Sequence, residues 1–207
     1  MRISRVRMAS PTPKPTMKER ILETADRLFY LKGIRAIGVD TIAAEIGISK
    51  RTLYNHFPSK DALISAYLER RFVRPYPSDK SPLEQILGTF DSLERRFSAK
   101  DFRGCPFVNA VAELGPESKS VRRIAIAFKE SRRLWFRDLL VQIGAPDAEG
   151  LATQLVLLVD GSIAQDLVRD EPKMARAAKE AAKVLLSNAG VSVDEPRSCS
   201  GKARAKQ

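Results

Sequence analysis

The stretch Thr41-Ile-Ala-Ala-Glu-Ile-Gly-Ile-Ser-Lys-Arg-Thr-Leu-Tyr-Asn-His-Phe57 constrains the fold more than any other part of the chain. Ile42 and Ile46 fall on one face of a short helix, and Ala43 is small where two helices must approach closely. Gly47 enters a left-handed backbone conformation at no steric cost, which permits a sharp turn. Ile48 then plugs the corner, Ser49 suits the N-cap of a second helix, and Leu53 packs that helix back onto the first. The pattern is a helix-turn-helix. Its second helix exposes Lys50, Arg51, Thr52, Tyr54, Asn55 and His56, all able to donate hydrogen bonds to base edges or phosphates in a major groove. Many helical hairpins share such spacing, so a plain structural turn is the competing reading of this segment taken alone.

The rest of the chain is also written in helical periods. Ile21, Ala25, Leu28 and Phe29 form one apolar face that Gly33 ends. Asp61 to Phe72 reads as a helix stopped by Pro75 and Pro77. Ile86, Phe90, Leu93 and Phe97 make the next stripe, Pro106 to Leu114 a shorter helix, and Val121, Ile124, Phe128, Trp135 and Leu139 a long one closed by Gly144. Asp147 to Val168 is apolar on most sides and is expected to be buried, and Lys173 to Asn188 presents a face of Met174, Ala178, Ala181 and Leu185. No segment alternates as a strand does. The expected fold is all-α, with about nine helices, three short ones near the front and longer ones behind. The segmentation is a proline-containing basic tail over 1–16, a helix-turn-helix domain over 17–62, a larger helical domain over 63–190 and a second disordered tail over 191–207.

Charge separates the two ends. Residues 1–76 hold 15 Lys and Arg against 7 Asp and Glu, while the rest hold 21 against 18. A solubilising surface needs no such asymmetry, whereas contact with a polyanion does. Two cysteines, Cys105 and Cys199, and a single histidine, His56, argue against a disulfide framework, a metal site or paired-histidine catalysis, and no cofactor is implied. There is no nucleophile elbow or phosphate loop, which disfavours an enzyme. No apolar run approaches the ~20 residues of a bilayer span, so no membrane partner is expected and the cytoplasm is the default location.

The residues around the turn narrow the reading. Thr52-Leu-Tyr-Asn-His-Phe57 followed by Ser59-Lys-Asp-Ala-Leu63, with Ala25-Asp-Arg-Leu-Phe29, Gly33 and Ile42-Ala43 upstream, resembles the signature of the TetR/AcrR family of transcriptional regulators. The resemblance implies an N-terminal three-helix DNA-binding domain and a larger C-terminal regulatory and dimerisation domain. It also implies roles: Lys50, Arg51, Thr52 and Asn55 toward bases or nearby phosphates, and Tyr54, His56 and Lys60 as phosphate clamps, with Ser49 at the helix start. Gly38 stands where the family usually has a Ser or Thr cap, and Arg51 replaces a usually small residue, so operator sequence does not transfer from relatives.

The same resemblance implies double-stranded operator DNA and a homodimer through the last two helices as partners, together with a small-molecule effector of unknown identity. The function expected is a repressor released from a palindromic operator by a small apolar or amphipathic ligand. Candidate pocket residues among the central helices are Phe90, Phe97, Cys105, Phe107, Asn109, Glu113, Phe128, Trp135, Gln154 and Asp160, for most of which plain core is the competing reading. Asp160 places an acid inside the apolar run Leu157-Leu-Val-Asp-Gly161 and needs a partner. Cys105, before Pro106 at a helix start, supports an alternative, a redox or electrophile sensor on the same scaffold.

Overall fold

The computed structural model describes residues 14–73, 78–115 and 118–193, and among these it contains nine helices and no strand. They form two compact units, one up to Arg70 and one from Arg71 onward.

In the first unit, α1 (Met17–Lys32) begins at a capping box. The Thr16 hydroxyl accepts from the Glu19 N–H at 3.3 Å, and the Glu19 carboxylate accepts from the Thr16 N–H at 2.6 Å. The tail expected over 1–16 therefore stops short of Thr16. Its residues 1–13, like 194–207 with Cys199, lie outside the described residues. Ile21, Ala25, Leu28 and Phe29 are the buried face of α1, the repeat the sequence predicts. Each such large side chain contributes about 1.5–3 kcal/mol on burial.

α2 (Val39–Ile46) buries Val39, Ile42 and Ala43, and α3 (Lys50–His56) buries Leu53. Between them Gly47 takes φ 71° and ψ 38°. A Cβ at Gly47 would meet nothing within 4 Å, so the turn demands glycine for its backbone conformation and not for space. α4 (Lys60–Arg71) packs Leu63, Ile64, Tyr67 and Leu68 inward, with Tyr67 edge-to-face on Phe29 at 5.6 Å between centroids. This packing carries the first unit to Arg70, past the 62/63 division suggested by the sequence. A bend over 57–59 separates α3 from α4.

The second unit holds α5 (Pro82–Phe97), α6 (Pro106–Leu114), α7 (Lys119–Gln142), α8 (Ala148–Arg169) and α9 (Lys173–Asn188). α5 opens with a Ser81–Glu84 capping box and buries Ile86, Phe90, Leu93 and Phe97. α9 packs on α5 and α8, and Lys179–Asp91 at 2.7 Å and Arg176–Glu94 at 2.6 Å tie it to α5. Phe107 of α6 stacks on Phe128 of α7 with centroids 3.8 Å apart, and Phe72 meets both edge-on.

Three expectations change here. On α7 the buried aromatics are Phe128 and Phe136, while Trp135 is half-buried. On α9 the core face is Ala175, Ala178, Ala182 and Leu186, so Met174, Ala181 and Leu185 flank it instead of forming it. On α8, expected to be buried, Leu157 is 66% and Val168 84% exposed. The cause is common to all three: these helices are apolar on more than one side, and periodicity does not say which side its own chain covers. α8 is also, among the described residues, the one helix long and apolar enough by length and composition to cross a bilayer, contrary to the expectation of no such run. Its two apolar sides account for that composition.

The buried acid of α8 is Asp166, at 3% exposure, whose Oδ1 finds no hydrogen-bond partner among the described residues. Burial, then Asp170, pushes its carboxyl above the usual range. The native state therefore holds this proton more tightly than the unfolded chain, and ionised Asp166 opposes folding. Asp166→Asn is expected to raise stability at pH 7, because a neutral amide does not carry the charge that burial and Asp170 disfavour. The gain should vanish as pH falls below the unfolded-state value of about 4, where both states hold the proton. Urea unfolding of both proteins from pH 4 to pH 8 checks this, and a variant less stable at pH 7 would contradict it.

Candidate functional site

α3 is short because its chemistry is. Seven residues span about 10 Å at the α-helical rise, which fits a major groove about 12 Å wide. Ser49 caps it, accepting from the Thr52 N–H at 3.0 Å, and its hydroxyl lies 2.9 Å from that of Thr52. Leu53, fully buried, fastens the helix by its back. Arg51, Tyr54 and Asn55 are left exposed on the opposite side, while Thr52 and His56 are half-buried. The structure thus brings together on one helix every base-facing candidate from the sequence.

Two of the proposed contacts are engaged within the unit. Lys50 pairs with Asp40 of α2 at 3.0 Å, both side chains more than half exposed, and the Asp40 hydrogen bond holds the ammonium above its ordinary lysine value. An exposed pair of this kind is weak and readily exchanged for a phosphate. Lys60 is half-buried, donates from Nζ to the Ile34 carbonyl at 2.7 Å and lies 6.0 Å from the centre of the Phe29 ring. Its charge braces the connection between α1 and α2. α2 begins at Gly38 with no side-chain cap, as the glycine dictates. Arg27–Glu45 at 2.5 Å ties α1 to α2.

In the second unit the pocket candidates scatter. Phe90, Phe97, Phe107 and Phe128 are core, and Cys105 is 9% exposed at the N-cap of α6. Asn109 donates to the Arg103 carbonyl at 2.7 Å, Glu113 is half-buried, and Gln154 faces solvent. Asp160 is half-exposed, and its partner is Lys129 at 2.5 Å. Two grooves of this unit hold candidates from the sequence. One, of about 350 Å³ between α5 and α7, is lined by Trp135 with Leu93, Lys80, Glu84, Arg96 and Arg132. The other, of about 610 Å³ among α6, α7 and α8, is lined by Phe107, Val108, Val111, Ile126, Val156 and Leu157. The remaining sequence candidates line neither.

Sequence reasoning passed over Arg132. Its signal was legible: it stands one helical turn from both Phe128 and Phe136, on the buried stripe of α7.

Comparison with known proteins accords with this architecture. The model of the family described as bacterial regulatory proteins, tetR family, matches residues 21–67, from α1 into α4. The HTH-type transcriptional regulator LmrA of Bacillus subtilis is 28% identical over 160 residues, 70% of this chain and 84% of LmrA. The structure of a TetR transcriptional regulator from Streptomyces avermitilis superposes with a TM-score of 0.76 at 31% identity, covering 86% of this chain and 100% of that one. A TetR-family regulator from Streptomyces coelicolor does so with a TM-score of 0.73 at 31% identity, over 82% and 94%. A recognition helix that offers hydrogen-bond donors, together with 31% identity to two solved regulators covered over 100% and 94% of their length, places this chain in the TetR family of DNA-binding transcriptional regulators.

Proposed function

We propose that this regulator is a repressor that binds a two-fold related operator as a homodimer and leaves it when a small ligand occupies the second unit. The observation that carries the reading of DNA is the exposed set Arg51, Tyr54 and Asn55 on a helix whose back is pinned by Leu53. Tyr54, with His56 and Lys50, supplies phosphate contacts that set register, and Arg51 and Asn55 read bases. Lys60 acts on DNA indirectly, by holding the connection at Ile34 in place.

One such helix reads few base pairs, and two-fold proteins match two-fold operators. The exposed apolar stripe supports the dimer. Leu157, Gly161, Ala164 and Val168 on α8, and Ala177 and Val184 on α9, follow helical spacing on the side of each helix turned from its own core, with half-buried Ala181 at the edge. A footprint on the DNA flanking the protein's own gene tests the reading. Protection of two half-sites about one helical turn apart is expected. Equal retardation of random and candidate operator DNA at physiological salt would overturn it.

Release by a non-covalent ligand predicts that Cys105→Ser keeps the response. The thiol is buried, and a reactive cysteine needs access to its oxidant. Operator titration of the variant with and without effector checks this; loss of response would favour the thiol-sensing alternative.

A further inference from the structure

We propose that the groove between α5 and α7 binds a small amphipathic organic anion, its carboxylate or phosphate held by Arg132 and Arg96 and its apolar body against Trp135 and Leu93. This rests on the ligand-responsive reading above and names the ligand class.

Position comes first. Arg132 lies one turn from Phe128 and one turn from Phe136 on the stripe that α7 turns to its core. Arg132 is half-buried, and a charge partly withdrawn from water gains from a partner supplied from outside. Among the described residues Arg132 has no hydrogen bond or carboxylate partner; its guanidinium lies over the Phe128 ring, 5.1 Å from the centroid. Cys105 and then Asp160 act on it from a distance, but the Asp160 carboxylate is already bound to Lys129. Burial pushes the Arg132 guanidinium below its ordinary value, and Arg96 repels it in the same sense. Two guanidiniums at one groove are unfavourable until an anion comes between them.

The remaining lining fits the same ligand. Lys80 adds a third cation. The acid on this wall, Glu84, is taken up in the cap of α5, accepting from the Ser81 N–H at 2.8 Å and the Ser81 hydroxyl at 2.6 Å. The second groove differs, for there Lys129 pairs with Asp160, and Arg133 pairs with Glu130 and Glu149. Trp135 supplies an apolar face and an indole N–H that finds no partner among the described residues. A volume of about 350 Å³ is at the lower end for small-molecule pockets and suits a small ligand. Arginine forks are the usual match for planar carboxylates and for phosphates.

Trp135 is the sole tryptophan of the chain, so its fluorescence reports on this groove directly. Octanoate, octyl phosphate and the neutral isostere octanamide are titrated into the full-length protein. Both anions are expected to shift the emission and to bind at least about tenfold more tightly than octanamide, the scale of charge-assisted hydrogen bonds. Their order tells carboxylate from phosphate. Arg132→Met should lose that preference while binding octanamide as before. The ligand-free variant should melt no lower than wild type, because the charge removed had no acid partner among the described residues, and methionine can still pack on the Phe128 ring. Equal binding of octanoate and octanamide by wild type, or undiminished octanoate binding by Arg132→Met, would overturn the proposal. So would a lower melting temperature of the ligand-free variant, which would make Arg132 a structural partner of Phe128. Operator binding by the unliganded wild type, measured in parallel, separates this outcome from a failure of the repressor reading.

Discussion

Raising the salt from 50 to 200 mM is expected to weaken operator binding about a thousandfold, if a dimer neutralises about six phosphates and releases their counterions. The basis is a first unit whose recognition helix carries Lys50 and Arg51 and no acid, within a stretch of 15 basic and 7 acidic residues over 1–76. Variants sort the contacts. Arg51→Ala should relax preference at particular base pairs by about 1–3 kcal/mol, since it is exposed and is proposed to read bases. Tyr54→Phe should weaken all sequences alike. Asp40→Asn should work in the opposite direction, strengthening binding about two- to fivefold, because it frees Lys50 from an exposed pair of small worth. Fluorescence anisotropy over a salt series, with operator and scrambled duplexes, reads all of these. A salt-independent affinity would contradict the electrostatic account.

A single charge on the α8–α9 stripe is expected to convert the dimer to monomer at micromolar concentration and to abolish cooperative operator binding. Val168 and Val184, 84% and 59% exposed in the protomer, are the positions to use. Replacing either by glutamate leaves the protomer's own core untouched, so folding should survive. Two-fold symmetry places every seam residue in the interface twice, so each dimer would bury two unpaired carboxylates. An uncompensated buried charge costs about 3–5 kcal/mol, enough to raise the dissociation constant a thousandfold or more. Sedimentation velocity on Val168→Glu and Val184→Glu, with circular dichroism to confirm folding, is the measurement. Variants that remain dimeric would move the interface elsewhere.

Much of this molecule was legible in its sequence wherever the determining interaction is local. The stripe from Ile21 to Phe29, the end of α1 at Gly33, the left-handed turn at Gly47 and the cap at Ser49 all depend on residues within a turn or two of one another. Helical spacing and backbone sterics suffice to write them down, and the Thr16-x-x-Glu19 pattern was equally readable although the sequence reading placed Thr16 in the tail. The exposed donors of α3 follow too, because burying Leu53 decides where Arg51, Tyr54 and Asn55 go.

What only the tertiary structure decided is which of several apolar faces is covered and which charges meet. α8 and α9 are apolar on two sides, and the choice of Ala182 and Leu186 for the core, leaving Val184 and Val168 outside, is made by neighbouring helices. Lys129 finds Asp160 and Lys60 finds the Ile34 carbonyl through contacts between segments distant in the chain, and no acid among the described residues pairs with Arg132. Periodicity reports the angle of a side chain about its own helix axis. It carries no information about what stands opposite, and the energy of a buried or half-buried charge is set almost entirely by what stands opposite.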